Sequence, residues 1–150
     1  MEIKIELLKH TDLKRYYDLL DNVLGVNISL EKMQAKFKED NPSLKVVVAK
    51  NGLEIIGTIS FVLIDSFTSA SDPRIEFFNF AVGPAARGSD AARLLMDYVT
   101  DYAIEFGFNQ VAVNCLKDAA RAHSFYEKMG FVRDEKMRFV KLLSPDDVVD

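Results

Sequence analysis

Residues 75–116 constrain the fold more than any other part of the chain. IEFFNFAV, 75–82, has the aromatic and β-branched content of a strand. It passes through Gly83-Pro84 into a long helical stripe, Ala91, Leu95, Tyr98, Val99, Tyr102 and Phe106, spaced as one apolar face. Gly107 ends that helix, and QVAVNCL, 110–116, reads as a second strand. Two strands joined through a helix of this length pair in parallel, because the crossover spans the sheet face. Such a sheet carries helices against its faces.

The remaining segments supply antiparallel partners. Residues 2–8 read as a first strand. Thr11 stands where an N-cap belongs, ahead of Leu13, Tyr16, Tyr17, Leu20 and Leu24, and Gly25 closes that helix. Ser29 caps a second helix with Leu30, Met33 and Phe37 on its inner side. Asn41-Pro42 breaks the chain before the apolar strand KVVVA. Asn51-Gly52 is the strongest hairpin signal, with LEIIGTISFVLI as the returning strand. DSFTSASDPR, 65–74, is a polar loop; residues 118–129 form a helix stopped by Gly130; MRFVKLL, 137–143, reads as a last strand. The expected fold is a mixed α/β sheet in a single domain, 1–150, since neither a repeat nor a linker divides the chain.

Composition narrows the function. At 150 residues and 49% apolar content, the chain buries a core without disulfide or metal staples. Nineteen basic against 23 acidic side chains, a net charge of −4, argue against a nucleic-acid binder and a polybasic membrane-surface protein. A small, positively charged substrate fits better. One cysteine, Cys115, excludes an internal disulfide and a four-cysteine zinc site. Its alternation with Val111 and Val113 places it on the buried face as an inert thiol. No apolar run approaches the roughly 20 residues of a membrane span, and MEIKIELLKHTD lacks a signal-peptide core. A reduced, cytoplasmic home is expected. No His, Asp and Glu set has metal-ligand spacing, and His10 and His123 do not suggest a pair, so no metal is expected.

Two motifs carry chemistry. The first is the turn through Arg87-Gly88-Ser89-Asp90 into the helix. Free backbone N–H groups and the positive dipole end make such a turn an anion site, with Arg87 adding fixed charge. The same spacing also starts many helices that bind nothing. The second is AHSFYEKMGF, 122–131. Phe125 and Tyr126 point roughly 100° apart around the helix axis. Phe125 reads as core, while the Tyr126 hydroxyl needs a partner if buried.

Together these segments resemble the GNAT-type N-acetyltransferases, which move an acetyl group from acetyl-CoA to an amine. In that family the phosphate turn reads Arg/Gln-x-x-Gly-x-Gly/Ala; here it is Arg87-Gly88-Ser89-Asp90-Ala91-Ala92, followed by Leu94-Leu95. The later signature, Ala-x-x-Phe/Leu-Tyr-x-x-x-Gly-Phe, is met by Ala122, Phe125, Tyr126, Gly130 and Phe131. RFVKLL is similar to the small-amine members, including the aminoalkylphosphonate and aminoglycoside types. The resemblance covers residues 75–143 well and the first half in element order. It implies a twisted, mostly antiparallel sheet with a parallel, splayed strand pair and about four helices.

The resemblance also implies roles. An alkylammonium of pKa about 10.4 costs on the order of 4–5 kcal/mol to deprotonate at pH 7, so a nearby base helps. Glu76 aligns with the family's acidic strand residue; period-2 alternation puts it on one face with Phe78, Phe80 and Val82, where aromatic surroundings make a carboxylate a stronger base. An edge glutamate in a half-buried strand is the plain alternative. Tyr126 aligns with the tyrosine that protonates the CoA sulfur; the alternative is a core tyrosine bonded to a neighbouring strand. Backbone at Phe80, Ala81 and Val82 would pair with the pantetheine arm and supply an oxyanion donor, with the strands splaying after residue 82. Asn114 would meet the arm or simply satisfy its strand. Two positions depart from the pattern: Asp90 replaces the first turn glycine, and Ala119 an asparagine before the last helix. Asp90 either occupies the pyrophosphate's space or turns to water as an ordinary first-turn residue. The implied function is acetyl transfer to a small-molecule or peptide amine, with a homodimer open. The alternative is a silent CoA-binding or ligand-sensing relative. The first two helices and the 65–74 loop would frame the acceptor, with Asp21, Asp65 and Asp72 as an acidic rim.

Overall fold

The computed structural model describes residues 1–70 and 72–144. They form two compact units, Met1–Asn114 and the chain from Cys115 onward. The first holds β1 (Lys4–Leu7), α1 (Leu13–Val23), α2 (Leu30–Lys38), β2 (Leu44–Asn51), β3 (Glu54–Ile64), β4 (Arg74–Val82), α3 (Ala91–Glu105) and β5 (Gln110–Val113). The second holds α4 (Ala120–Lys128). The strands make one sheet in the order β1-β2-β3-β4-β5. Neighbours are antiparallel except β4 and β5, which pair in parallel as the crossover helix requires.

The sheet is covered on both faces. Cross-strand partners share a face, so Val48, Thr58 and Ala81 look the same way. Tyr16 and Leu20 of α1 pack there, the Tyr16 hydroxyl bonding Ser60 and Thr58. Burial of that ring pushes the Tyr16 phenol above its ordinary value, and these two bonds oppose the rise. The opposite face carries Phe61, fully buried and edge-on to Tyr102 of α3 at 5.2 Å. At Gly57 a Cβ would lie 3.2 Å from Leu95 Cδ1 and from the Ala81 carbonyl, so helix and sheet approach closely there and a side chain would need them to shift by a few tenths of an ångström. Val47, Val48, Ile59 and Phe61 have no exposed surface, and the core lies along β2 and β3.

Local chemistry sets the boundaries. Ser29 caps α2, its Oγ accepting from the Lys32 amide at 3.1 Å. Asn51-Gly52 turns the β2–β3 hairpin, with Gly52 at φ +64°. Thr11 does not cap α1. Residues His10–Asp12 form a 3-10 turn, and Asp12 sits at the boundary, its Oδ2 accepting from the Lys9 amide at 3.2 Å. A charge network holds Asp12 there: Lys50 Nζ lies 2.9 Å from its Oδ1 and 2.7 Å from Glu6 Oε1.

Three readings of the chain's second half are corrected. β5 stops at Val113 rather than 116, because beyond Phe77↔Val113 β4 no longer pairs with it. Cys115 is consequently off the strand and exposed, not a core thiol. Residues 137–143 form no strand; their apolar side chains are exposed, with Phe139 at 88%. Strand-forming content needs a ladder partner before it becomes a strand.

Candidate functional site

β4 carries the decisive irregularity. Ser60 of β3 pairs with Phe78, but Thr58 pairs with Ala81, so β4 spends one residue more than its neighbour. The extra residue is Asn79, at φ +48°, the left-handed region that asparagine enters at modest cost. A bulge reverses side-chain parity. Glu76 and Phe78 therefore share a face with Ala81, while Phe80 turns to Phe77 on the other face, ring centroids 6.1 Å apart. Val82 pairs with Gly57 on that same far side. The expectation that Glu76 lies on one face with Phe80 and Val82 is overturned by this single inserted residue.

The bulge falls where the parallel pair opens. Pairing with β5 ends at Phe77, and β4 continues through Phe78–Val82 with no strand on that side among the described residues. The splay thus begins five positions before the expected one at 82, at the bulge rather than at Gly83-Pro84. Beyond Phe77, β4 therefore runs on beside β3 alone among the described strands.

The turn into α3 completes this region. A 3-10 turn, Pro84–Ala86, leads to Arg87, and Gly88 takes φ +81° with nothing within 4 Å of a Cβ there. Its backbone angle, not crowding, is what requires glycine. The Ser89 amide bonds the Ala86 carbonyl at 3.0 Å, and the Ala91 amide reaches Ser89 Oγ at 3.3 Å. Among the described residues no protein acceptor meets the amides of Gly88, Asp90, Ala92 and Arg93. These donors sit at the positive end of α3, a fifteen-residue helix. Arg87 is exposed and, among the described residues, pairs with no carboxylate. The Asp90 side chain is 70% exposed and directed to Arg93, 3.4 Å away.

Glu76 sits in a less apolar place than its sequence neighbours imply. Its side chain is 36% exposed, and Oε1 accepts from Arg74 Nε at 3.1 Å. Across the ladder it faces Val62 and Ala112. Asn114 is exposed at the end of the first unit. The three rim aspartates serve local turns: Asp21 accepts from the Val26 amide, Asp65 from the Ser66 amide, and Asp72 from Ser66 Oγ.

In the second unit, Tyr126 lies on α4 between Phe125 and Phe131, at 5.6 Å and 5.5 Å between ring centroids. Its half-buried phenol is pushed up to about 12 by desolvation, with Cys115 adding to the rise. Such a hydroxyl keeps its proton well past neutrality. His123 Nε2 contacts the Leu116 carbonyl at 2.8 Å. Among the described residues, no group of three or more His, Cys, Asp and Glu could hold a metal ion, and no helix is long and apolar enough to cross a membrane.

A five-stranded mixed sheet with one parallel pair is the arrangement expected of the resemblance. The Acetyltransferase (GNAT) family matches residues 13–131. The chain belongs to the GNAT acetyltransferase family. Solved structures share its fold. Glucosamine-6-phosphate N-acetyltransferase from Arabidopsis thaliana superposes with a TM-score of 0.78 at 19% identity, covering 96% of this chain and 100% of that one. An aminoglycoside acetyltransferase from an uncultured soil metagenomic sample gives 0.77 at 21% identity, covering 95% and 97%. A transcriptional regulator from Bacillus halodurans C-125 gives 0.78 at 23% identity, covering 95% and 100%. No curated protein sequence matches the chain. The bulge is the feature of this chain's β4 that sequence reading missed. Its one signal was Asn79, a polar residue tolerant of positive φ inside an apolar strand.

Proposed function

We propose that this GNAT protein is an acetyl-CoA-dependent N-acetyltransferase that acetylates a primary amine of a small molecule or peptide by direct transfer in a ternary complex. The observation that carries the reading is one continuous strand–turn–helix: β4 runs past the end of its pairing with β5 into the 87–92 turn, where, among the described residues, the amides of Gly88, Asp90 and Ala92 meet no protein acceptor. The donor set fits a diphosphate: outward N–H groups, a helix dipole and the unpaired cation of Arg87.

Acetyl-CoA, when bound, supplies an activated acetyl thioester. The amides of Gly88, Asp90 and Ala92, with Arg87, hold its diphosphate, while Ser89 and Ala91 brace the turn. Main-chain groups of Phe80, Ala81 and Val82 receive the pantetheine arm as an added strand would, and Asn114 flanks it. An N–H of this edge takes the negative charge that develops on the carbonyl oxygen. Glu76 accepts the ammonium proton, directly or through water. Arg74 holds its Oε1, and among the described residues Oε2 has no protein partner. Tyr126 gives its phenolic proton to the departing sulfur; a phenol holds that proton at neutral pH.

The silent-relative alternative needs Asp90 in the cradle. Its exposed carboxylate, paired with Arg93, supports transfer instead. The chain's net charge of −4 favours a cationic acceptor, and the shared fold of an aminoglycoside acetyltransferase puts aminoglycosides on the panel to try. Polyamines, amino acids and peptide N-termini complete it.

Thermal unfolding with acetyl-CoA, followed by thiol release against that panel, tests the reading. At 100 times its dissociation constant, the cofactor should add about 2.7 kcal/mol of stability. At least one amine should then release thiol. No thermal shift at millimolar acetyl-CoA would sink the proposal, and a shift with no thiol release for any amine would favour the silent relative.

A further inference from the structure

Arg74 and Glu76 stand two residues apart on one face of β4, and each side chain is more than a third exposed. Their ion pair uses one atom of each, Arg74 Nε and Glu76 Oε1, 3.1 Å apart. Among the described residues, the two Nη groups of Arg74 and Oε2 of Glu76 meet no protein partner. A guanidinium edge and a carboxylate oxygen are thus left with unused hydrogen bonds of opposite charge. Their surroundings are apolar. Val62 and Ala112 lie across the ladder from Glu76, Leu44 lies beyond Val62, and Phe78 follows on the same face of β4. Leu44 and Phe78 are 37% and 42% exposed.

A ligand that satisfies both groups carries an anion and a cation close together. A carboxylate takes the Nη donors in the bidentate geometry that a guanidinium favours, and an ammonium takes Oε2. A polycation meets the Arg74 charge and is repelled by it. A peptide N-terminus has no carboxylate beside its amine and leaves the Nη donors unused.

We propose that the acceptor is a free α-amino acid with an apolar or aromatic side chain. Its carboxylate binds Arg74, its ammonium binds Glu76, and its side chain lies against Phe78, Val62 and Leu44. The inference rests on acetyl transfer with Glu76 as base, and narrows the acceptor of that reaction. The amine nitrogen bonds the acetyl carbon as the C–S bond breaks. Of the two protons the ammonium sheds, one goes to the departing sulfur and one, through Glu76, to water. The product is an N-acetyl amino acid, whose nitrogen no longer carries the charge that held it to Glu76.

Thiol release with L-leucine against isoamylamine, and with L-phenylalanine against phenethylamine, tests the assignment, since each amine is its amino acid without the carboxylate. The amino acids should have a kcat/KM roughly 10–100-fold higher, the worth of one charge-assisted contact. Arg74→Gln should slow transfer to every amine, because Arg74 also holds Glu76, and should in addition erase the preference. An arginine that only positions Glu76 would leave that ratio unchanged. Calorimetric titration of the same ligands reads the site without chemistry. L-leucine should bind about tenfold or more tightly than isoamylamine, and only while Arg74 is present. Equal use of amino acid and amine, or a preference that survives Arg74→Gln, overturns the assignment and leaves acetyl transfer standing. Arg74-dependent binding of L-leucine with no thiol release from any amine would keep the amino-acid site and overturn acetyl transfer. Neither binding nor release would overturn both.

Discussion

In β2 and β3, Val47, Val48, Ile59 and Phe61 are wholly buried, whereas from Cys115 to Ser144 no described residue is buried at all. Yet the second region holds the most completely filled sequence motif, Ala122 through Phe131. The contrast separates two reasons for a residue pattern. The β2–β3 alternation records what must leave water to form a core. The α4 motif sets an aromatic cluster around one hydroxyl, and that cluster shifts the acidity of Tyr126 without sealing it from solvent. Stability should therefore depend on the first region and acid chemistry on the second.

Truncation tests this contrast most strongly. Phe61→Ala removes a fully buried ring that meets Tyr102 edge-on, and should cost about 3–5 kcal/mol. Phe125→Ala, on the half-buried α4, should cost about 1 kcal/mol or less. Urea midpoints at constant slope would measure both, and equal losses would erase the distinction between core and cluster. Next comes Tyr126→Phe, expected to lower turnover about 10²-fold or more with little change in acetyl-CoA affinity or melting temperature. Unchanged turnover would remove Tyr126 from the chemistry, and a large fall in stability would make it a core residue after all.

Gly88→Val sharpens the comparison on the other side. The site is uncrowded, so only the φ of +81° resists a branched side chain, at about 1–2 kcal/mol. Acetyl-CoA's thermal shift should shrink while the urea slope, set by the sheet, stays the same. The smallest effect is a pH slope. Hydrogen bonding to Lys50 holds Glu6 below its usual range; at Asp12, burial pulls the other way but bonds from Lys50 and the Lys9 amide prevail. Both bonds raise Lys50. The carboxylates thus add stability above the usual carboxylate pKa of about 4, lost as pH falls through their lowered folded values. Lys50 adds stability below about 10.4, lost as pH rises through its raised folded value. Lys50→Met should flatten both limbs, as melting temperatures against pH would show; an unaltered acid limb would mean that Lys50 does not set it.

Much of this was legible in residue order. Asn51-Gly52 announced the hairpin, Ser29 the start of α2, and the 75–116 segment the parallel pair, because each rests on contacts within a few residues or on one unbroken crossover. The turn into α3 was legible as a run of backbone donors after a strand. The face of Phe80 and Val82 was not, since one left-handed asparagine reverses everything beyond it and no periodicity contains that step. The cap of α1 was misplaced for a different reason. Thr11 has the right side chain, but Asp12 is claimed by Lys50 from β2, a partner distant in sequence. Strand content at 137–143 was likewise read correctly as content and incorrectly as structure.

The order of residues alone determined the GNAT motifs, the order of elements from β1 to α4 and the place of the amide-lined turn, because local backbone preferences and helix polarity act over a few residues. Tertiary structure alone decided where β4 parts from β5, which face Glu76 occupies, whether Asp90 points into the turn or to water, and how far the Tyr126 phenol is raised. Each of these depends on what another segment places nearby, and the free energy of a charge or an unpaired amide is set by that neighbourhood rather than by its own place in the chain.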